Sequence, residues 1–190
     1  MFKVSFWIIY LVFFINRNDC RLIDVIKSQP LVNWGNWGPT ESCSPGHFAV
    51  GFRSKVEPSI GRGDDTAMNG IELICNDQKK ISSLVGPWGN WAESFSICPN
   101  GKFLTGFEMR MERSQGKGDD TATNAIRMIC EDFNILKSKE SSWGEWSMVN
   151  LCPAKFFICG LKTQVEPSQG KGDDTSLNNI IFYCCYDVPS

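Results

Sequence analysis

The chain has 190 residues, 19 basic and 21 acidic side chains and one histidine, for a formal net charge of -2. No basic run is present, which removes the electrostatic footprint that nucleic-acid binding needs, and the single imidazole argues against a His-rich metal site or a Ser/His/Asp triad. The nine cysteines point to a disulfide framework and an oxidising compartment.

The N-terminus carries Lys3 and then an apolar run, residues 6–15, that turns polar at Asn16 and Arg17. That run is shorter than the roughly 20 apolar residues needed to span a bilayer and reads as the core of a secretory signal. Residues 1–20 are therefore expected to be a signal peptide, with the mature start between Asn16 and Leu22, and nothing later is apolar enough to cross a membrane. Residues 21–190, about 170 in all, suffice for one domain or for small units that share a core.

Three copies of one unit follow, over about 33–76, 87–131 and 142–186. Each opens on Trp-Gly-x-Trp, at Trp34 and Trp37, Trp88 and Trp91, and Trp143 and Trp146. Indole faces fill cores and also stack on sugar rings. Positions i and i+3 of a strand face opposite sides, so one Trp of each pair is expected inside and the other near the surface. Trp37, Trp91 and Trp146 are accordingly candidates for carbohydrate contact.

A cysteine comes next in each copy, and a second stands 32 residues after it: Cys43 and Cys75, Cys98 and Cys130, Cys152 and Cys184. The constant interval predicts one bridge inside each copy. Cys159 and Cys185 pair as a fourth, and Cys20 is left over near the cleavage region. No Cys-x-x-Cys pair supports zinc, and neither a metal nor a cofactor is expected.

Between these cysteines lie two runs with period-two alternation. Phe48, Val50, Phe52, Ser54 and Val56 match Phe103, Thr105, Phe107, Met109 and Met111, and then Phe157, Cys159, Leu161, Thr163 and Val165. Ile71, Leu73 and Cys75 match Ile126, Met128, Cys130 and Ile180, Phe182, Cys184, with Glu72 and Arg127 expected to face outward. Such alternation marks half-buried strands, and no window keeps a helical period. A further strand is expected in the linker at Ile81 to Val85. The fold class is all-β: three sheets burying their inner faces around a pseudo-threefold axis as a three-sided prism.

Glu57, Gly61, Gly63, Asp64, Asp65 and Thr66 stand between the two strands, repeated as Glu112 with Asp119 and Asp120 and as Glu166 with Asp173 and Asp174. Paired carboxylates beside a threonine could accept hydrogen bonds from sugar hydroxyls, so the six aspartates are also carbohydrate-binding candidates. The plainer reading is a turn that every copy needs, with Gly free to take positive φ and Asp side chains bonding nearby backbone N–H groups. Every repeated acid has two equivalents, so the sequence singles out no catalytic residue. An asymmetric chemistry would have to use residues confined to one copy, such as His47, Arg53, Arg62, Glu72, Arg110 or Arg113.

The threefold succession of Trp-Gly-x-Trp, Cys, Phe-x-x-Gly-Phe/Leu, Glu-Pro-Ser-x-Gly-x-Gly-Asp-Asp-Thr and Asn-x-Ile…Cys resembles the vitelline membrane outer layer protein family over about residues 33–186. The second copy departs slightly, with Arg113 in place of Pro58 and Pro167, and Ala92 in place of Gly38. The resemblance implies a β-prism of three Greek-key sheets and a secreted structural component of an egg outer layer or related extracellular matrix. The expected partners are egg-coat or matrix proteins and glycans. A weak lysozyme-like or transglycosylating activity on chito-oligosaccharides is the alternative that the resemblance carries, without residues to assign to it. No Asn-x-Ser/Thr sequon interrupts the surface, which suits dense packing in a layer.

The acidic segments lack the alternating oxygen ligands and distant closing Glu of a calcium loop. Calorimetric titration with calcium is expected to show no binding at micromolar levels, and a stoichiometric transition there would make them metal sites instead.

Overall fold

A computed structural model of the chain describes residues 23–29, 33–57, 67–112, 123–139, 144–168 and 176–186. Residues 1–20, Cys20, Trp143 and the acidic segments with Asp64, Asp65, Asp119, Asp120, Asp173 and Asp174 lie outside the described residues.

The two alternating runs of each copy form antiparallel hairpins. In the first copy these strands are β4 (Ala49–Val56) and β5 (Met68–Cys75). The second contributes β9 (Leu104–Met111) and β10 (Thr123–Cys130), and the third β14 (Phe156–Val165) and β15 (Leu177–Tyr186). We call the sheets built on these hairpins the first, second and third.

The strands at the Trp pairs do not join the hairpin of their own copy. Strands β2 (Asn36–Trp37) and β3 (Glu41–Ser42) pair with β14 of the third copy. Strands β7 (Asn90–Trp91) and β8 (Ser96–Ile97) pair with β4, and β12 (Glu145–Trp146) and β13 (Asn150–Leu151) pair with β9. Each sheet is therefore completed by the Trp segment of another copy.

The outer edge on the other side of each hairpin is filled from the linkers. Strand β6 (Lys80–Ile81) lies on β5, and β11 (Ile135–Lys137) lies on β10. The linker strand thus begins earlier than the expected Ile81 to Val85 and is shorter. In the third sheet this place, on β15, is taken by β1 (Ile23–Lys27), which buries Ile26. Three five-stranded antiparallel sheets result, and they form a β-prism.

The inner faces meet on one core. Phe52, Phe107 and Leu161 are buried at equivalent positions and stand opposite Leu73, Met128 and Phe182 in register. The rings of Phe107 and Phe182 touch edge-on with centroids 4.8 Å apart, so the sheets interlock across the axis.

Every hairpin carries two register shifts, and the one beside its cysteine breaks the strict alternation. Register shifts fall between Ala49 and Gly51, between Ile158 and Gly160, and opposite Leu104 and Gly106. A bulge reverses which face a side chain takes. Ala49, Leu104 and Ile158 consequently join the main core in place of the expected Val50, Thr105 and Cys159. Phe48, Phe103 and Phe157 move to the end of the prism, where their rings form a triangle with centroid separations of 5.2, 5.4 and 5.0 Å.

Cys43 follows β3 on the third sheet, and its sulfur is bonded to that of Cys75, at the end of β5 in the first sheet. Cys98–Cys130 likewise joins the first sheet to the second, and Cys152–Cys184 joins the second to the third. The three bonds form a closed ring of covalent ties around the prism, each contributing roughly 3 to 4 kcal/mol on the chain-entropy account. The fourth, Cys159–Cys185, cross-links β14 to β15 within the third hairpin.

Phe107→Ala is expected to cost about 3 to 5 kcal/mol in a denaturant titration, because it deletes a ring with no exposed surface from a contact shared by two sheets.

Candidate functional site

The Trp segments are held against the neighbouring hairpin by backbone geometry first. Gly35, Gly89 and Gly144 have φ of +84°, +73° and +83°, and a Cβ on each would meet the backbone of Val165, Val56 or Met111. Only glycine allows both the left-handed turn and this approach. A long donor side chain from the same strand then clamps the segment. Lys55 Nζ donates to the Gly86 and Pro87 carbonyls at 2.8 and 3.0 Å, and Arg110 Nε to that of Gly144 at 3.0 Å. Gln164 Nε2 donates to the Gly35 carbonyl at 3.2 Å.

The foot of each acidic segment lies beside these elements. Trp91 is the register partner of Lys55, two residues before Glu57, and Trp146 and Trp37 stand in the same way to Arg110 and Gln164. On the strand leaving the acidic segment, Asn69, Asn124 and Asn178 are buried. Asn69 Oδ1 accepts from the Trp88 backbone N–H at 3.1 Å and from the Ser176 hydroxyl at 2.8 Å, joining all three copies at this end of the prism. Sequence spacing marked these asparagines as repeated but gave no hint of bonds between copies.

Five of the six tryptophans of the repeats are described, and none is in the core. Trp34 and Trp37 are each 38% exposed and Trp88 is 42% exposed, while Trp91 and Trp146 are half-buried. The expectation that one Trp of each pair points inward is overturned for the first two pairs, whose tryptophans are both described. Its physical reason is that the paired strands are two residues long and the glycine's positive φ breaks the alternation on which the expectation rested.

The second Trp of each pair instead lies on the outer face, against a cation from the hairpin. In the first sheet the Arg53 guanidinium is 5.2 Å from the Trp91 ring centre and 4.9 Å from that of Phe95, and its Nε donates to Glu72 Oε2 at 2.6 Å. In the second sheet the Arg127 guanidinium is 3.8 Å from the Trp146 ring, and its Nη1 donates to Glu108 Oε1 at 3.1 Å. In the third sheet Lys162 Nζ is 5.3 Å from the Trp37 ring.

The first two pairs are the same device with its signs reversed. Arg and Glu stand on β4 and β5 in the first sheet, Glu and Arg on β9 and β10 in the second, both 19 residues apart. The outward direction of Glu72 and Arg127 was legible in the alternation. Their partners were missed, although the compensating exchange at one spacing was present in the sequence as a signal.

His47, noted as confined to one copy, lies at the other end of β4, with Nδ1 3.0 Å from Asn76 Oδ1. Nearby, the Ser44 hydroxyl hydrogen-bonds to Asp77 and holds this exposed carboxyl below its ordinary value. These groups secure the turn after β5 and stand apart from the Trp faces. Among the described residues no His/Cys/Asp/Glu group has the arrangement of a metal site.

The Arg–Glu side chains are only 15 to 24% exposed, so their coupling is expected to be measurable. Glu72→Gln should lose about 0.5 to 1 kcal/mol in denaturant titration, and the exchanged pair Arg53→Glu with Glu72→Arg should recover most of it, because the second sheet already uses that order.

Comparison with known proteins accords with this architecture. Residues 24–187 match the family described as vitelline membrane outer layer protein I. The vitelline membrane outer layer protein 1 homolog of Mus musculus is 43% identical over 162 residues, covering 80% of this chain and 78% of that protein. Its Homo sapiens counterpart is 40% identical over 174 residues, covering 86% and 82%.

Among solved structures, a prostate-specific WGA16 glycoprotein lectin superposes with a TM-score of 0.57 at 13% identity, covering 85% of this chain and 99% of that one. Calystegia sepium agglutinin gives 0.56 at 10%, covering 85% and 95%, and artocarpin in complex with mannopentose gives 0.54 at 11%, covering 86% and 97%. These lectins share the fold. Extent and identity together place the chain itself: it belongs to the vitelline membrane outer layer protein I family.

Proposed function

We propose that the chain is a secreted, disulfide-stabilised structural component of an egg outer layer or related extracellular matrix, and that it holds glycans on its Trp-bearing faces. The observation that carries this reading is the ring of three disulfides joining three sheets, each of which presents a tryptophan outside the core. Such a body is held in shape by its common core and its covalent ring, and it offers repeated, outward-facing sites to a surrounding layer. Family membership supports the coat, and the lectin neighbours show that a prism of this shape is compatible with holding sugars.

Residues 1–20 act in this reading as the signal peptide, and residues 21–190 as one β-prism domain. Cleavage upstream of Ile23 leaves β1 whole, and the third sheet needs β1 to fill its edge. The carbohydrate contacts are assigned to Trp37, Trp91 and Trp146, with Asp64, Asp65, Asp119, Asp120, Asp173 and Asp174 in the neighbouring acidic segments. The partners are matrix or egg-coat proteins and glycans; no residue is given a catalytic role.

Incubating the mature protein with chito-oligosaccharides, while following both binding and products, tests this. Saturable binding without turnover is the expected outcome. New oligomers at an enzyme-like rate, above roughly 1 per second, would replace the reading by a glycosidase or transglycosylase. Absence of both would leave only protein contacts to hold it in a layer.

A further inference from the structure

The third sheet breaks the charge pattern of the other two. Register places Ile181 opposite Lys162, at the position equivalent to Glu72 and Arg127. The carboxylate that neutralises Arg53, and the one that neutralises Arg127, therefore have no counterpart on this row. Lys162 makes no ion pair among the described residues, and its ammonium lies 5.3 Å from the Trp37 ring centre.

The same row continues onto the strand that only this sheet takes from the N-terminus. Lys27 is the register partner of Ile181 from the other side, so Lys162, Ile181 and Lys27 stand in line across β14, β15 and β1. Directly opposed residues share a face, and two strand spacings put the two lysine Cα atoms about 9 to 10 Å apart. Lys27 is exposed and also makes no ion pair among the described residues. On the same face the Tyr183 and Thr40 hydroxyls lie 3.1 Å apart, where the first two sheets carry isoleucine in the tyrosine's place, Ile74 and Ile129.

We infer that this third face is a site for an acidic saccharide, bearing carboxylate or sulfate groups, that meets Lys162 and Lys27 while its ring lies against the exposed edge of Trp37. The inference rests on the glycan-binding reading above and names its ligand class. Arg53 is fixed between two aromatic rings and a carboxylate, and Arg127 between a ring and a carboxylate, so neither has charge to give. Lys162 has its ring but, among the described residues, no carboxylate. Its flexible stem lets the ammonium leave the indole for an anionic oxygen, a stronger partner than a ring face in a half-exposed site. The chain as a whole is slightly acidic, so a paired-lysine face is a local feature rather than part of a general attraction for polyanions.

Calorimetric titration of the mature protein would use three probes: a heparin-derived hexasaccharide, a hyaluronan hexasaccharide and neutral chitohexaose. Both acidic probes, or one of them, should bind at least ten-fold more tightly than chitohexaose, and raising the salt should weaken that binding. Hyaluronan carries carboxylates and no sulfate, so tight binding of it shows that carboxylate suffices, whereas a preference for heparin alone shows that sulfate is needed. Lys162→Gln should abolish most of the ten-fold preference and Lys162→Arg should keep it, while Lys137→Gln on the second sheet should leave it intact. Chitohexaose binding as tight as that of the acidic probes would overturn the inference and leave the glycan reading standing. An acidic preference lost equally in Lys137→Gln would overturn it in favour of diffuse attraction. No binding by any probe would remove both.

Discussion

The structure depends on an exchange of edge strands. A hairpin such as β4 and β5 has an apolar inner face and an edge at β4 whose backbone groups need partners. The copy that owns the hairpin supplies none. The Trp segment of another copy does, through two short strands that pair with the exposed edge. Everything particular to that segment follows from its having to lie flat on someone else's strand. The glycine at its centre admits close backbone approach, and Lys55, Arg110 or Gln164 reaches over to hold it. Its cysteine then continues the ladder, as in the 2.8 Å bond from the Cys98 N–H to the Val50 carbonyl, before crossing by disulfide to the next sheet.

A cyclic exchange written into a linear chain has one difficulty, which is where the ring closes. The first and second sheets borrow from the copy that follows. The third borrows backward, taking β2 and β3 from the first copy and β1 from the segment before it. The N-terminal end thereby becomes part of the C-terminal sheet. This makes the prism one cooperative body, because no single copy contains a finished sheet and the disulfide of each copy spans two of them.

Much of the architecture was legible in the sequence because buried positions repeat under the same constraint. Phe52, Phe107 and Leu161 read as one core layer, and the 32-residue cysteine interval stood out at once. Three things were not legible. Bulges at Ala49–Gly51 and its equivalents reversed the phase of alternation without any sequence mark beyond a glycine that has other uses. The exchange of edge strands left no trace in spacing, since a Trp segment reads the same whichever hairpin it joins. The outward-facing Arg–Glu pairs looked like unrelated charges in single copies, and only comparison of position 53 with 72 and 108 with 127 reveals them as one interaction.

That contrast explains where the copies are free to differ. A core position belongs to a layer in which three sheets meet, so a change in one copy is felt by the other two, and similar side chains persist. An outer-face position meets its cross-strand neighbour and the rings laid over it rather than the shared core, and an opposite charge on that neighbour is enough to compensate a reversal of sign. The first and second sheets show such a compensated reversal. In the third, isoleucine replaces one member of the pair, and the sheet's edge strand comes from a part of the chain that the other sheets never use. The threefold plan thus fixes the shape of the molecule, while its non-equivalent chemistry collects on the outer face where the ring was closed by borrowing.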